Sequence, residues 1–195
     1  MNSTPLHRHL GAQLLLMLGM AFAAPLAEAD DAFVVKRAQF ELDDSMLLLD
    51  LAVDSNIPDY IALAIEQGFA VPIMFELEIR TKKRYWFDPS VVTLKQQYLL
   101  HHQPMLDSYV VSDLNTSERH YFDDRGAAVK FIEVVYNYPM LDINNLAPNQ
   151  DYYARVRYGI DVDELPLPLK SSSLWDNDWN LTSDWYQWEV AGPAP

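Results

Sequence analysis

Ile73-Met74-Phe75-Glu76-Leu77-Glu78-Ile79-Arg80 places an aliphatic or aromatic side chain at every odd position and, after Met74, a charged one at every even position. A period of two sends the two sets to opposite faces of a β-strand. One face must be dry and the other wet, as in an antiparallel sheet covered on a single side.

The neighbouring segments repeat this pattern. On the N-terminal side, Val34, Ala38, Phe40 and Leu42 alternate with Val35, Arg37, Gln39 and Glu41. After Asp43-Asp44-Ser45, Leu47, Leu49, Leu51 and Val53 alternate against Asp50 and Asp54, which predicts a hairpin with one wet face. Ile57-Pro58 opens a short helix with Ile61, Ala64 and Ile65 at helical spacing and Gly68 as its stop. On the C-terminal side, Tyr85-Trp86-Phe87-Asp88-Pro89 reads as a strand end or turn. Strands over 91–101, 106–112 and 119–122, separated by Gln103-Pro104 and Asn115, then form a meander. Asp123 caps a second helix whose stripe is Ala128, Phe131, Ile132 and Val135.

Beyond a loop over 144–151, Tyr152, Ala154, Val156, Tyr158, Ile160 and Val162 face one way and Tyr153, Arg155, Arg157 and Asp161 the other. Pro166 and Pro168 cannot sit in a central strand, so Leu165-Pro166-Leu167-Pro168-Leu169-Lys170 is expected to run extended along an edge or outside the sheet. A closing strand over 185–190 precedes a frayed tail, 191–195. The expectation is a β-rich α+β fold, a mostly antiparallel sheet with a sandwich-like arrangement open to it and two short helices, in a single domain over 30–190.

Half of the 195 residues are hydrophobic and 12% are aromatic, enough to build a core. The net charge is -14. Such a surface repels phosphate backbones and anionic head groups, arguing against nucleic acid and against peripheral membrane binding. The apolar run over 10–24 follows the weakly basic His7-Arg8-His9 and precedes the small-x-small site Ala27-Glu28-Ala29, the pattern of a signal peptide over 1–29. The run is shorter than the roughly 20 residues that a span requires. There is no cysteine, so disulfides, thiolate chemistry and a lipidated cysteine are excluded, which suits a bacterial periplasm.

No catalytic signature is present. There is no nucleophile elbow, phosphate-cradling glycine loop or His-Glu-x-x-His helix, and six glycines leave little room for a nucleotide site. His101 and His102 are adjacent on a strand and leave by opposite faces, so they cannot share a metal with His120 without a bulge. Asp176, Asp178 and Asn180 mimic the start of a calcium loop, but Leu181 stands where glycine is needed and Gln187 where the bidentate glutamate belongs. No metal and no cofactor is expected. The candidate binding residues are Trp86, Trp175, Trp179, Leu165 and Leu167. The tryptophans offer aromatic faces, and the proline-rich stretch an extended segment. Trp188, with Tyr186 and Val190, is expected to be structural, and Trp175 and Trp179 to matter less for stability.

Several of these features occur together in one family. The early hairpin, the helix ending at Gly68, Tyr85-Trp86-Phe87-Asp88, Asp123 with its helix, Arg155-Val156-Arg157, Leu165-Pro166-Leu167-Pro168 and Trp185-Tyr186-Gln187-Trp188 resemble the proteobacterial domain-of-unknown-function 4390 family. The likeness covers about 33–190. The family passes from its glycine to a proline through one residue, whereas here Phe69, Ala70 and Val71 intervene. The resemblance implies export and this architecture, without catalytic residues to carry over. Its members are often encoded beside a membrane sensor kinase, which implies an envelope or signalling role.

Two readings of function follow. One is a non-enzymatic interaction module with a protein partner in the cell envelope, presenting an edge strand or the proline-rich stretch. The other is a polysaccharide-binding or hydrolytic domain that stacks a glycan on exposed tryptophans. The cleavage site predicts a mature chain beginning at Asp30, soluble in the periplasmic fraction. N-terminal sequencing checks it, and full-length protein in the inner membrane is the contrary result.

Overall fold

The computed structural model describes residues 31–82, 89–171 and 179–193. Among them the order is β1 (Phe33–Asp43), β2 (Met46–Ser55), α1 (Asp59–Glu66), β3 (Val71–Thr81), β4 (Ser90–Gln103), β5 (Ser108–Asp113), β6 (Arg119–Phe122), α2 (Arg125–Glu133), β7 (Val134–Asp142), β8 (Tyr152–Ile160), α3 (Leu167–Ser171) and β9 (Tyr186–Val190). The strands form two antiparallel sheets, β1-β2-β7 and β6-β5-β4-β3-β8-β9. The chain is thus β-rich and α+β, as its alternation predicts.

β3 lies between β4 and β8 and pairs with both along most of its length. Its odd-numbered side chains Ile73, Phe75, Leu77 and Ile79 are at most 1% exposed. The three-stranded sheet lies across this inner face, and aromatic rings join the two layers. Ring centroids of Phe33 and Tyr158 are 5.5 Å apart, those of Phe40 and Trp188 5.2 Å, and those of Phe75 and Tyr138 6.1 Å. Such tilted and edge-on pairs add roughly 0.5–1.5 kcal/mol each beyond area burial. Tyr158, fully enclosed, donates its hydroxyl to the Ile132 carbonyl at 3.2 Å, and burial pushes its pKa well up. That bond ties β8 to α2, whose Ala128 and Ile132 are buried.

α1 begins where the Pro58 carbonyl accepts from the N–H groups of Ile61 and Ala62. It ends at Gly68, where φ is +85°, a conformation that glycine adopts without strain. Tyr109 of β5 donates its hydroxyl to Glu66 at 2.6 Å, and Arg125 of α2 reaches the same carboxylate at 3.3 Å. One glutamate therefore clamps both helices to the sheet.

The structure corrects several expectations. In β1 the inward residues are Phe33 and Val35, then Ala38 and Phe40, because the register slips between Val35 and Arg37. That bulge turns Val34 to the opposite face from Ala38. The cap of α2 is Asp124 rather than Asp123, its Oδ1 accepting from Ala127 N–H at 2.8 Å. The helix stops at Glu133, so Val135 of the expected stripe belongs to β7. This strand escapes the sequence because Asn137, at φ +49°, and Pro139 break its alternation. As an edge strand β7 tolerates both, and Asn137 N–H donates to the buried Asp50 carboxylate at 3.0 Å. Likewise β8 ends at Ile160, and Val162 opens a 3-10 turn.

The largest correction concerns the proline-rich stretch. It is not extended: 167–171 forms a third, one-turn helix, with the Pro166 carbonyl accepting from Leu169 and Lys170 N–H at 2.9 and 3.0 Å. Pro168 falls in the first turn, where its missing N–H has no partner to lose and its fixed φ suits a helix. Leu165 and Leu169, four residues apart, are both buried, while Leu167 between them is 78% exposed. Trp179 is also corrected, being 1% exposed and edge-on to Tyr60 at 5.5 Å. Trp188 is only half-buried.

Trp179→Ala is therefore expected to destabilise by about 3–5 kcal/mol. Trp188→Ala should cost less, and Leu167→Ala should stay within about 0.5 kcal/mol. Urea denaturation of the three variants, with Leu165→Ala beside them, checks the order. A loss at Leu167 as large as at Leu165 would contradict the helical turn.

Candidate functional site

Among the described residues, those proposed from sequence do not form a site. Trp86 and Trp175 lie outside the described residues, as do the segment over 1–29 that the sequence reads as a signal peptide and Asp176 and Asp178. Trp179 and Leu165 are core residues, so neither presents a face to a ligand, and only Leu167 is exposed. The stacking platform expected of Trp179 is absent for a simple reason. Its ring packs edge-on against Tyr60 of α1.

The polar chemistry gathers on the outer face of the six-stranded sheet. Register places Glu76 of β3 between Lys95 of β4 and Arg157 of β8, and Glu78 between Thr93 and Arg155. Arg157 donates to Glu76 Oε2 from Nε at 2.9 Å and from Nη2 at 2.6 Å. Glu78 Oε2 receives Arg155 Nε at 2.9 Å and Arg80 Nη1 at 2.7 Å. Opposite charges facing across strands contribute roughly 0.2–1 kcal/mol per pair. Trp185 covers both arginines, with guanidinium carbons 4.1 and 4.8 Å from its ring centroid. This cation–π contact stacks the C-terminal segment over the ladder.

Beside the ladder, Asp161 follows the end of β8 and is nearly enclosed. Its Oδ2 accepts from Gln97 Nε2 and Lys95 Nζ, each at 2.6 Å. A cleft of about 400 Å³ opens here, with Met74, Glu76, Lys95 and Arg157 as its floor and Asp161 and Thr182 on its wall. Such a volume falls at the lower end of small-ligand sites.

The histidines do not form a centre. His101 is partly enclosed with Nδ1 unpaired among the described residues, and burial, then the charges of Arg119 and His102, push its pKa down. His102 Nε2 is 3.5 Å from Asp107, and the His120 ring sits 4.4 Å from that of Phe131. Among the described residues no three His, Asp or Glu side chains are grouped so as to hold a metal ion.

Residues 30–189 match the family described as "Domain of unknown function (DUF4390)". The chain belongs to the DUF4390 family. Neither a curated protein nor a solved structure matches it. For this DUF4390 chain the two arginines of Arg155-Val156-Arg157 are thus the outward rungs of the ladder, and Trp185 is their cover. Sequence alone gave the outward direction of Glu76, Glu78, Arg155 and Arg157. It missed Lys95, Gln97 and Thr182, whose place depends on strand register and on a loop returning from the end of the chain.

Burial opposes ionisation of Glu78, but hydrogen bonds and charge from Arg155 and Arg80 outweigh it and hold its carboxyl below the usual range. A lowered folded pKa means stability that is present above the unfolded value, near pH 4.3, and is lost as pH falls through the folded one. Glu78→Gln should lower the urea midpoint at neutral pH, and the gap to the parent should close on acidification. Midpoints measured across that range check this, and a constant gap would remove Glu78 as the titrating group.

Proposed function

We propose that the chain is an exported, non-enzymatic interaction module of the cell envelope, which engages a protein partner through a sheet border and serves envelope signalling beside a membrane sensor kinase. The observation that supports this is the pairing of two open edges. β1 ends the three-stranded sheet and β9 ends the six-stranded one, and they lie side by side, joined by the Phe40–Trp188 ring pair. A cleft of about 170 Å³ between them is lined by residues including Phe33, Val35, Trp185 and Tyr186. At the opposite edge of the six-stranded sheet, α2 packs against β6, with Phe131 5.3 Å from Phe122.

An edge strand offers a row of backbone donors and acceptors to an incoming extended segment, and the cleft beside it offers room for a side chain. The proline-rich stretch, the other presenting element considered, is helical and holds down two of its three leucines. Stacking of a glycan on Trp179 finds no support, since that ring is buried.

A photo-crosslinking residue at Gln39 of β1, compared with one at Thr93 in the middle of the large sheet, tests the proposal in cells of the native host. The expected result is one discrete protein adduct from position 39 and none from 93. Pro substitution at Arg37 should abolish that adduct without lowering the melting temperature by more than a few degrees. Equal labelling at both positions, or none at either, would sink the reading.

A further inference from the structure

The cleft on the outer sheet face adjoins the β1–β9 border at Thr182-Ser183 and at the Arg157–Trp185 contact, but its floor is the charged face of β3, β4 and β8 and has its own chemistry. We infer that it is a binding site for a neutral, polyhydroxylated ligand, a small saccharide. Four of its charges are matched, Glu76 with Arg157 and Asp161 with Lys95, at 2.6 Å each, and the remaining lining carboxylate, Asp163, is exposed to solvent. An anionic ligand would have to break one of these pairs and leave a carboxylate unpaired, which is costly at a partly buried site, and a cationic one would meet only the solvent-exposed Asp163, where an ion pair is worth little. A hydroxyl has no such requirement.

What the pairs leave over suits hydroxyl groups. Both Arg157 bonds go to Oε2 of Glu76, so Glu76 Oε1 accepts nothing among the described residues. Gln97 and Lys95 both reach Oδ2 of Asp161, so Oδ1 is likewise unspent. Arg157 Nη1 and the Thr182 hydroxyl make no hydrogen bond among the described residues. Acceptors and donors therefore stand together around one cleft, and a diol, which both donates and accepts at each oxygen, can use both kinds.

The positions are set before any ligand arrives. Glu76, Lys95 and Arg157 stand in one row across three paired central strands, and Gln97 fixes the Asp161 carboxylate. Gly159 allows the Thr182 backbone to close on β8: a Cβ at 159 would lie 2.3 Å from the Leu181 carbonyl and 2.6 Å from Thr182 Cα. Such preorganisation lowers the ordering cost of binding. The overall charge of -14 disfavours anionic ligands in addition.

The test is a backbone-amide NMR titration of the mature protein with chitotriose and with maltotriose, each to about 10 mM, beside inorganic phosphate and glutamate as ionic probes. The expected result is saturable shifts from at least one saccharide, centred on Gln97, Arg157, Asp161 and Thr182, and none of comparable size from the ionic probes. Thr182→Val, which keeps the shape of the wall, and Glu76→Gln should each weaken the saccharide by about tenfold while preserving spectral dispersion. No saccharide shifts, shifts centred elsewhere, a response to phosphate or glutamate alone, or affinity unchanged in both variants would overturn the inference. The crosslinking at Gln39 reads a different surface, so either result stands without the other.

Discussion

The alternation of β3 is the constraint on which the molecule depends. Ile73, Phe75, Leu77 and Ile79 must be covered, and a strand paired on both sides can be covered only from above its face. The three-stranded sheet does this over β3, β8 and β9, and α2 over the half of the sheet that includes β5 and β6. The same alternation sends Glu76, Glu78 and Arg80 outward, where β8 answers with Arg155 and Arg157. Core and charged ladder are thus two faces of one periodic pattern, and a one-residue slip of β3 would exchange them.

A few polar groups sit inside the sandwich and are partly satisfied. Gln96 of β4 is fully buried; its Oε1 accepts from Tyr138 of β7 at 3.2 Å, while its Nε2 is unpaired among the described residues. Burial, with the nearby Asp113 and Tyr138, pushes the Tyr98 hydroxyl up to about 12. Tyr98 therefore stays a neutral hydroxyl at any ordinary pH. The Tyr138–Gln96 bond spans the two sheets and defines how β7 lies over β4. An apolar pair would bury at lower cost but would not fix that register.

The sequence was most legible where one physical term acted alone. The hairpin, β3, β4 and β8 follow from a period of two, and α1 from its proline, its stripe and Gly68. Reading failed where two terms competed. Leu165, Leu167 and Leu169 show a period of two, yet the segment is one helical turn, because a proline in the first turn loses no hydrogen bond and two leucines four apart can bury together. Asn137 and Pro139 hid β7, since a strand at an edge need not obey the rules of a central one. The acidic neighbours of Trp179 suggest a ring of little weight for stability, though a side chain's burial follows from the ring it meets, here Tyr60. The cleft was the least legible feature, because Lys95, Asp161 and Thr182 lie far apart in the chain and only strand register brings them to Glu76 and Arg157.

Openness at β1 also has to be reconciled with the hazard that an edge strand carries. An unprotected edge of eleven residues would pair with other copies of itself. The bulge between Val35 and Arg37 interrupts that template, and exposed Lys36, Arg37 and Glu41 place charges along it. Lys36 is held by Asp54 at 3.3 Å, both well exposed, so this pair adds little stability and serves chiefly to keep charge at the border. The bulge divides the edge into two parts. The first, Phe33 to Val35, faces the cleft beside Trp185 and Tyr186, and the second continues from Arg37 toward the turn. A long, flat partner strand cannot follow both, whereas a short segment that fits one part can. On the partner reading proposed above, protection from self-association and selectivity for a short segment share one source, the single inserted residue.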